Sequence, residues 1–262
     1  MNVAELCDDL RAERADLLAI LEPLDDAAWA TPTPAPGWEV LDQVTHLARF
    51  DDTTTTAITD PDEFRRERAD AVADVDAFVA RVVAELHATP PAKALRWLRD
   101  AGERCREAAL AADPSVRVPW YGPDMTIASV VTARIMETWA HGQDVRDALG
   151  VTGRPSGGLR HVAFLGWKAV GNSFHARGRP TPEAPVRVEL QDPTLGDVVL
   201  GPEEAADVVR GDLREFCLVV TQRRHVDDTG LTAQGPVAEE WLTIAQAFAG
   251  PPGVGRRPGQ FR

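Results

Sequence analysis

The sequence predicts a mixed α and α/β chain: an all-helical N-terminal domain over residues 1–150, then a smaller α+β domain over 159–250. Three observations carry that prediction. Apolar residues recur at helical spacing through the first 150 residues. A glycine-rich break, Gly150-Val-Thr-Gly-Arg-Pro-Ser-Gly-Gly158, then reads as a linker. Beyond it, short alternating runs such as Val186-Arg-Val-Glu-Leu190 have the pattern of half-exposed strands.

In chain order, Val3, Leu6, Leu10, Leu17, Leu18 and Leu21 place an amphipathic helix over 3–22, and Pro23 ends it. Residues 31–37, Thr-Pro-Thr-Pro-Ala-Pro-Gly, are a loop, since three prolines cannot sit inside a regular helix. A second helix starts near Trp38 and runs through Val40, Leu41, Val44, His46, Leu47 and Phe50. A third spans about 64–87, closed by Pro90-Pro91, and a fourth spans 92–112. The fifth spans 126–149, with Thr126 as its cap and Gly150 as its stop. Past the linker, helices are expected over 159–175, 213–221 and 237–249, and strands over 186–190, 197–200 and 206–209. The Gly/Pro/Arg-rich tail 251–262 is expected to be extended or mobile.

Composition excludes several functions. A formal net charge of −13 repels phosphate backbones, so nucleic acid is not an expected partner. No apolar stretch is long enough to span a bilayer, so a membrane is not one either. Cys7, Cys105 and Cys217 are few and scattered, without zinc-finger spacing. They read as small buried hydrophobes in a reducing, cytoplasmic compartment.

The chemistry is concentrated in Glu137-Thr-Trp-Ala-His141-Gly-Gln-Asp144. Residues at i, i+4 and i+7 share one helical face, and this face continues from Ile127, Val130 and Arg134. A stripe that should enter a bundle therefore ends in a carboxylate, an imidazole and a second carboxylate. Burying such groups without partners is costly, and a metal ion would satisfy the first two. His46 is the natural third ligand. A lone histidine in an amphipathic helix is usually structural, and a lone Glu–His pair is usually a surface pair. Two imidazoles and one carboxylate together are a catalytic zinc set with an open position, which also suits iron or nickel.

Asp144 reads equally as an acceptor orienting an imidazole and as a salt-bridge partner of Arg146 or Arg134. Gln143 is expected to be solvated, and Trp38 and Trp139 to pack the bundle. His87 reads as a surface residue, His161 and His175 as structural. Arg223 and Arg224, in Thr221-Gln-Arg-Arg-His-Val-Asp-Asp228, can clamp a carboxylate. The plainer reading of that pair is a solvated helix C-terminus.

The spaced pattern Pro36-Gly37-Trp38, Val40, Asp42, Val44, His46-Leu47, then Glu137, His141-Gly142, Asp144-Val145, resembles the mycothiol-dependent maleylpyruvate isomerase family. The C-terminal run Trp241-Leu-Thr-Ile-Ala-Gln-Ala-Phe-Ala-Gly-Pro-Pro-Gly253 is similar to an actinobacterial metal-binding branch. The resemblance implies a DinB-like four-helix bundle and a sterol-carrier-like α+β domain. It implies that His46, Glu137 and His141 hold one divalent metal, usually zinc. It also implies mycothiol as cosubstrate, its metal-bound thiolate attacking a small-molecule electrophile, and a second-domain arginine holding a substrate carboxylate. Arg223 or Arg224 would be that arginine, and Asp144 would orient a ligand or relay a proton. The expected activity is isomerase- or S-transferase-like, and a homodimer is an admissible assembly. Two other functions compete: a metal-dependent hydrolase using bound water, and a non-catalytic metal- or ligand-binding protein.

Overall fold

The computed structural model describes residues 2–73, 82, 85–153 and 156–261. The chain divides into two compact units, Met1–Arg154 and Pro155–Arg262.

The first unit is built on four long helices: α1 (Val3–Leu21), α3 (Val40–Thr59), α5 (Pro91–Ala111) and α6 (Ile127–Leu149). They pack as a bundle through the pairs α1·α6, α1·α5, α3·α5 and α3·α6. A single turn, α2 (Asp26–Trp29), and a shorter helix, α4 (Pro61–Ala73), complete it. The expected third helix is described only at 61–73 and 85–87; the rest of it, Val82 apart, lies outside the described residues. A two-residue antiparallel pair absent from the sequence prediction, β1 (Arg117–Val118) with β2 (Met125–Thr126), leads into α6.

Sequence chemistry sets the ends of α6. The Thr126 hydroxyl accepts from the Ser129 amide at 3.1 Å, which satisfies one of the amides a helix start leaves open. At the other end Gly150 adopts φ 66°, ψ 29°, the left-handed stop glycine takes without a Cβ penalty. The helix faces inward along Ile127, Val130, Ile135 and Val145, all at most 1% exposed. Leu6, Leu10 and Ala109 cover its first half. Leu17, Leu47 and Leu98 pack around Val145 in its second half. Each fully buried side chain of this kind contributes about 1.5–3 kcal/mol relative to exposure.

The second unit carries a four-stranded sheet in the order β4 (Val198–Leu200), β3 (Val186–Gln191), β5 (Asp207–Asp212), β6 (Thr232–Gln234). The central pair β3/β5 is parallel, in register from Val186–Asp207 to Gln191–Asp212, and the flanking pairs are antiparallel. Along β3 every second residue is buried (Val186, Val188, Leu190), as period-two alternation requires. The expected helix over 159–175 is two, α7 (Gly158–Lys168) and α8 (Val170–His175), parted at Ala169. Asp212 caps α9 (Leu213–Val220), which packs on α7. The last helix, α10 (Pro236–Ile244), stops five residues short of the predicted end. The tail beyond it is extended yet seated: the Gly259 amide donates to the Asp228 carboxylate, and Phe261 lies under the Arg224 guanidinium at 4.0 Å. Among the described residues, no helix is long and apolar enough to cross a membrane.

Candidate metal centre

Two helices place the donors. His46 lies in the first half of α3, and Glu137 and His141 are one turn apart on α6. The packing of α3 on α6 brings one ligand atom of each within 4.8 Å of the others. His141 Nε2 is 3.2 Å and His46 Nε2 3.7 Å from the same carboxylate oxygen, Glu137 Oε2. Ligands bonded tetrahedrally at zinc distances stand about 3.3 Å apart, so these spacings bracket what one ion needs. The side chains keep 20% (His46), 25% (Glu137) and 14% (His141) of their exposure, so the cluster is reached by solvent.

A short polar relay fixes which His141 nitrogen faces Glu137. The loop 31–37 is a tight turn, with Gly37 at φ 78°, closed by Thr33 N–H donating to Trp38 O at 2.7 Å. The Thr33 hydroxyl also gives its proton to Trp38 O, at 2.8 Å. It must therefore accept from Gln43 Nε2, at 2.9 Å. That turns Gln43 Oε1 toward His141, whose Nδ1–H donates to it at 2.5 Å. The Nε2 lone pair of a neutral His141 then points at an ionised carboxylate. Two acceptors 3.2 Å apart require a proton or a metal ion between them.

The protonation states suit a cation. Burial, and then the charge of His141, push the His46 pKa down to about 4, so its imidazole is neutral near pH 7. Burial alone would raise Glu137, but hydrogen bonds from His141 and His46 outweigh it and hold the carboxyl well below its usual range. A neutral imidazole at His46 and an ionised carboxylate at Glu137 are the forms that bind metal.

Aromatic rings surround the two imidazoles. Trp38 stacks on His141 at 5.8 Å and 21°, and Phe50 packs on His46 at 4.6 Å. Phe50 leads on to half-exposed Tyr121 at 6.2 Å. Trp38 thus packs at the centre itself, while Trp139 is a buried bundle residue as expected.

One turn along both helices lies a different polar cluster. Asp51 Oδ1 accepts from Arg14 Nη2 at 2.6 Å and from Arg134 Nε at 2.9 Å, with Asp51 fully buried. Arg134 Nη2 also reaches Leu47 O at 3.2 Å, so it ties α6 to α3 between the two levels.

Of the remaining sequence candidates, Asp144 is fully buried on the same face, but Gln43 holds His141 Nδ1. Gln143 is 3% exposed and donates to Asp147 at 2.7 Å, which corrects the solvated reading: the helix turns that face into the bundle. His87 is at the surface, 3.3 Å from Asp42. Arg223 and Arg224 follow α9 in the second unit and donate to the carbonyls of Thr221 and Arg223. Gln43, Thr33 and Asp51 escaped the sequence reading. The signal for Gln43 was its i−3 spacing to His46 on one face of α3.

Fold and donors together define a helical-bundle protein with a candidate two-histidine, one-carboxylate metal centre, joined to an α+β unit. The model of one family, described as the mycothiol maleylpyruvate isomerase N-terminal domain, matches residues 10–146, and the chain belongs to that family. It is 44% identical over 248 residues to the uncharacterized proteins MT0041 and Rv0036c of Mycobacterium tuberculosis, covering 95% of this chain and 96% of each relative. Crystal structures of the mycothiol-dependent maleylpyruvate isomerase and of a histidine-to-alanine mutant of it are similar in fold. Each has a TM-score of 0.60 at 16% identity, covering 90% of this chain and 95% of that one.

Proposed function

We propose that this chain is a mycothiol-dependent metalloenzyme, acting on a small electrophilic or carboxylate-bearing molecule as an isomerase or S-transferase. His46, Glu137 and His141 would hold one divalent metal, with zinc the first choice and nickel or iron compatible with the same donors. The observation that carries this is the convergence of one ligand atom each from His46, Glu137 and His141 within 4.8 Å, with the His141 ring oriented by Gln43 and Thr33. Membership of the family supports the thiol. Mycothiol is named in the description of that family and in those of the similar crystal structures.

When bound, the metal would stabilise a thiol as thiolate near neutral pH. The chain's own residues do the rest. Gln43 keeps the His141 ring in the tautomer that presents Nε2. Trp38 and Phe50 flank the imidazoles and restrict water at their faces. Arg134 and Asp51 hold α3 and α6 in the register that sets the donor spacing. Asp144 is assigned to orienting a ligand or relaying a proton, and Arg223 or Arg224 to a substrate carboxylate. Among the described residues three protein donors converge rather than four, which favours an open, catalytic site over a structural one. The free, buried cysteines fit a cytoplasmic protein.

The test is metal content by mass spectrometry on untagged protein, followed by titration with mycothiol. About one equivalent of metal and saturable thiol binding are expected. Metal-loaded protein that neither binds nor consumes mycothiol would overturn the thiol assignment and leave the metal site standing.

A further inference from the structure

The second unit contains a cavity of about 120 Å³ whose polar wall is cationic. Arg177 comes from the turn after α8, Arg224 and His225 from the loop after α9, and Arg256 from the tail. Among the described residues, no aspartate or glutamate lines it. In a chain with 41 acidic and 28 basic residues, a cavity with three arginines and no acid runs against the average surface. Its volume is about four times the ~30 Å³ share of a water molecule, room for one compact oxyanion.

A further observation points to a ligand. Arg177 Nη1 is buried and has no acceptor among the described residues, a cost that an anion would relieve. Burial, and then neighbouring Arg179, also push the Arg177 pKa down, and a bound anion opposes both. At this wall Gln222, with φ 61°, is the left-handed stop of α9: its N–H donates to Val219 O at 2.9 Å and the Arg223 N–H to Leu218 O at 2.7 Å. Here Gln222 Nε2 donates to Ala245 O at 3.2 Å, which fixes the loop that turns Arg224 and His225 onto the cavity. The Asp228 carboxylate binds the tail amide of Gly259, three residues after Arg256. Asp227, 3.5 Å from His225 Nδ1, is mostly exposed and does not line the cavity.

We propose that the second unit binds a small oxyanion group, phosphate or carboxylate, in the cavity walled by Arg177, Arg224, His225 and Arg256. Arg224 is one of the two arginines assigned above to a substrate carboxylate, so a carboxylate occupant rests on that reading; a phosphate occupant goes beyond it, and the cavity itself is built from one unit and needs neither metal nor thiol.

The test is calorimetric titration of the metal-replete full chain with inorganic phosphate and with acetate, at constant ionic strength set by chloride. Saturable binding of either anion at one site is expected. Arg177→Gln and Arg256→Gln should each weaken it about ten-fold or more, the effect of losing one charge-assisted hydrogen bond. Arg66→Gln, at an exposed pair with Glu63 on α4, should leave it unchanged. Phosphate binding without acetate assigns a phosphate group, and the reverse assigns a carboxylate. Arg256 lies outside every helix and strand, so its variant is expected to fold, as far-ultraviolet circular dichroism would verify. Absence of saturable binding by both anions overturns the proposal. So does undiminished binding in folded variants. Metal content is read on the same samples, so a failure here is distinct from a failure of the metal reading.

Discussion

Two polar clusters sit one helical turn apart on the same pair of helices and solve the problem of burial differently. At the Asp51 level, a fully buried carboxylate is met by two guanidinium groups of the protein itself, from α1 and α6. At the His46 level, a carboxylate and two imidazoles converge with their ligand atoms facing one another, and solvent reaches them. The first cluster pairs opposite charges within the protein and has a structural use, although Asp51 Oδ2 and Arg14 Nε are left without a partner among the described residues. The second brings three groups that can each ligate a metal to one solvent-reached point. The lesson is that donor type and access, rather than burial of polar groups alone, separate a ligand site from a structural ion pair in an apolar bundle.

The largest expected effect breaks the open cluster alone. His141→Ala should lose essentially all bound metal by mass spectrometry while keeping its helical circular dichroism, since α6 is held by its buried apolar residues Ile127, Val130, Ile135 and Val145. Retention of a full equivalent would return Glu137 and His46 to structural roles. Next, Asp51→Ala leaves Arg14 and Arg134 buried without their carboxylate. It should cost about 3–5 kcal/mol in urea unfolding, the usual consequence of removing one partner of a buried pair. A loss under about 1 kcal/mol would mean water relieves the arginines and the cluster is not sealed.

A third effect follows from Cys105, beside the sealed cluster. Burial, then the Asp51 charge, raise its thiol from 9.0 to about 11. A folded-state pKa above the unfolded value gives stability that is complete below pH 9 and lost as pH rises toward about 11. Up to about 3 kcal/mol should disappear across that window, and the Cys105→Ala variant should lack this component when unfolding midpoints are compared. The smallest expected effect sharpens the open cluster. Gln43→Leu removes the acceptor on His141 Nδ1 and should weaken metal affinity about 10–100-fold in chelator competition, with stability little changed. An unchanged affinity would show that Trp38 stacking alone fixes the ring.

Periodicity along the chain was enough to place the helices of the bundle, the Thr126 cap and the Gly150 stop. Each of these depends on residues within one or two turns. It also put Glu137, His141 and Asp144 on one inward face for the same reason. The split at Ala169, the β1/β2 pair and β6 were not legible, because two- and three-residue strands and a helix break carry too little pattern. Gln143 was misread as solvated because polarity was allowed to outvote its place in a helix surrounded on several sides.

Sequence by itself determined the type of the longer elements and the residues able to ligate, since backbone preference and donor chemistry are local properties. Only the tertiary structure decided that His46 meets Glu137 across 91 residues, and that Gln43 fixes the His141 tautomer across 98. It also chose Asp51 as the partner of both buried arginines, and gathered the second unit's cations around one cavity. Those outcomes depend on helix register and loop geometry, which are set when whole faces pack and are invisible in any short window of sequence.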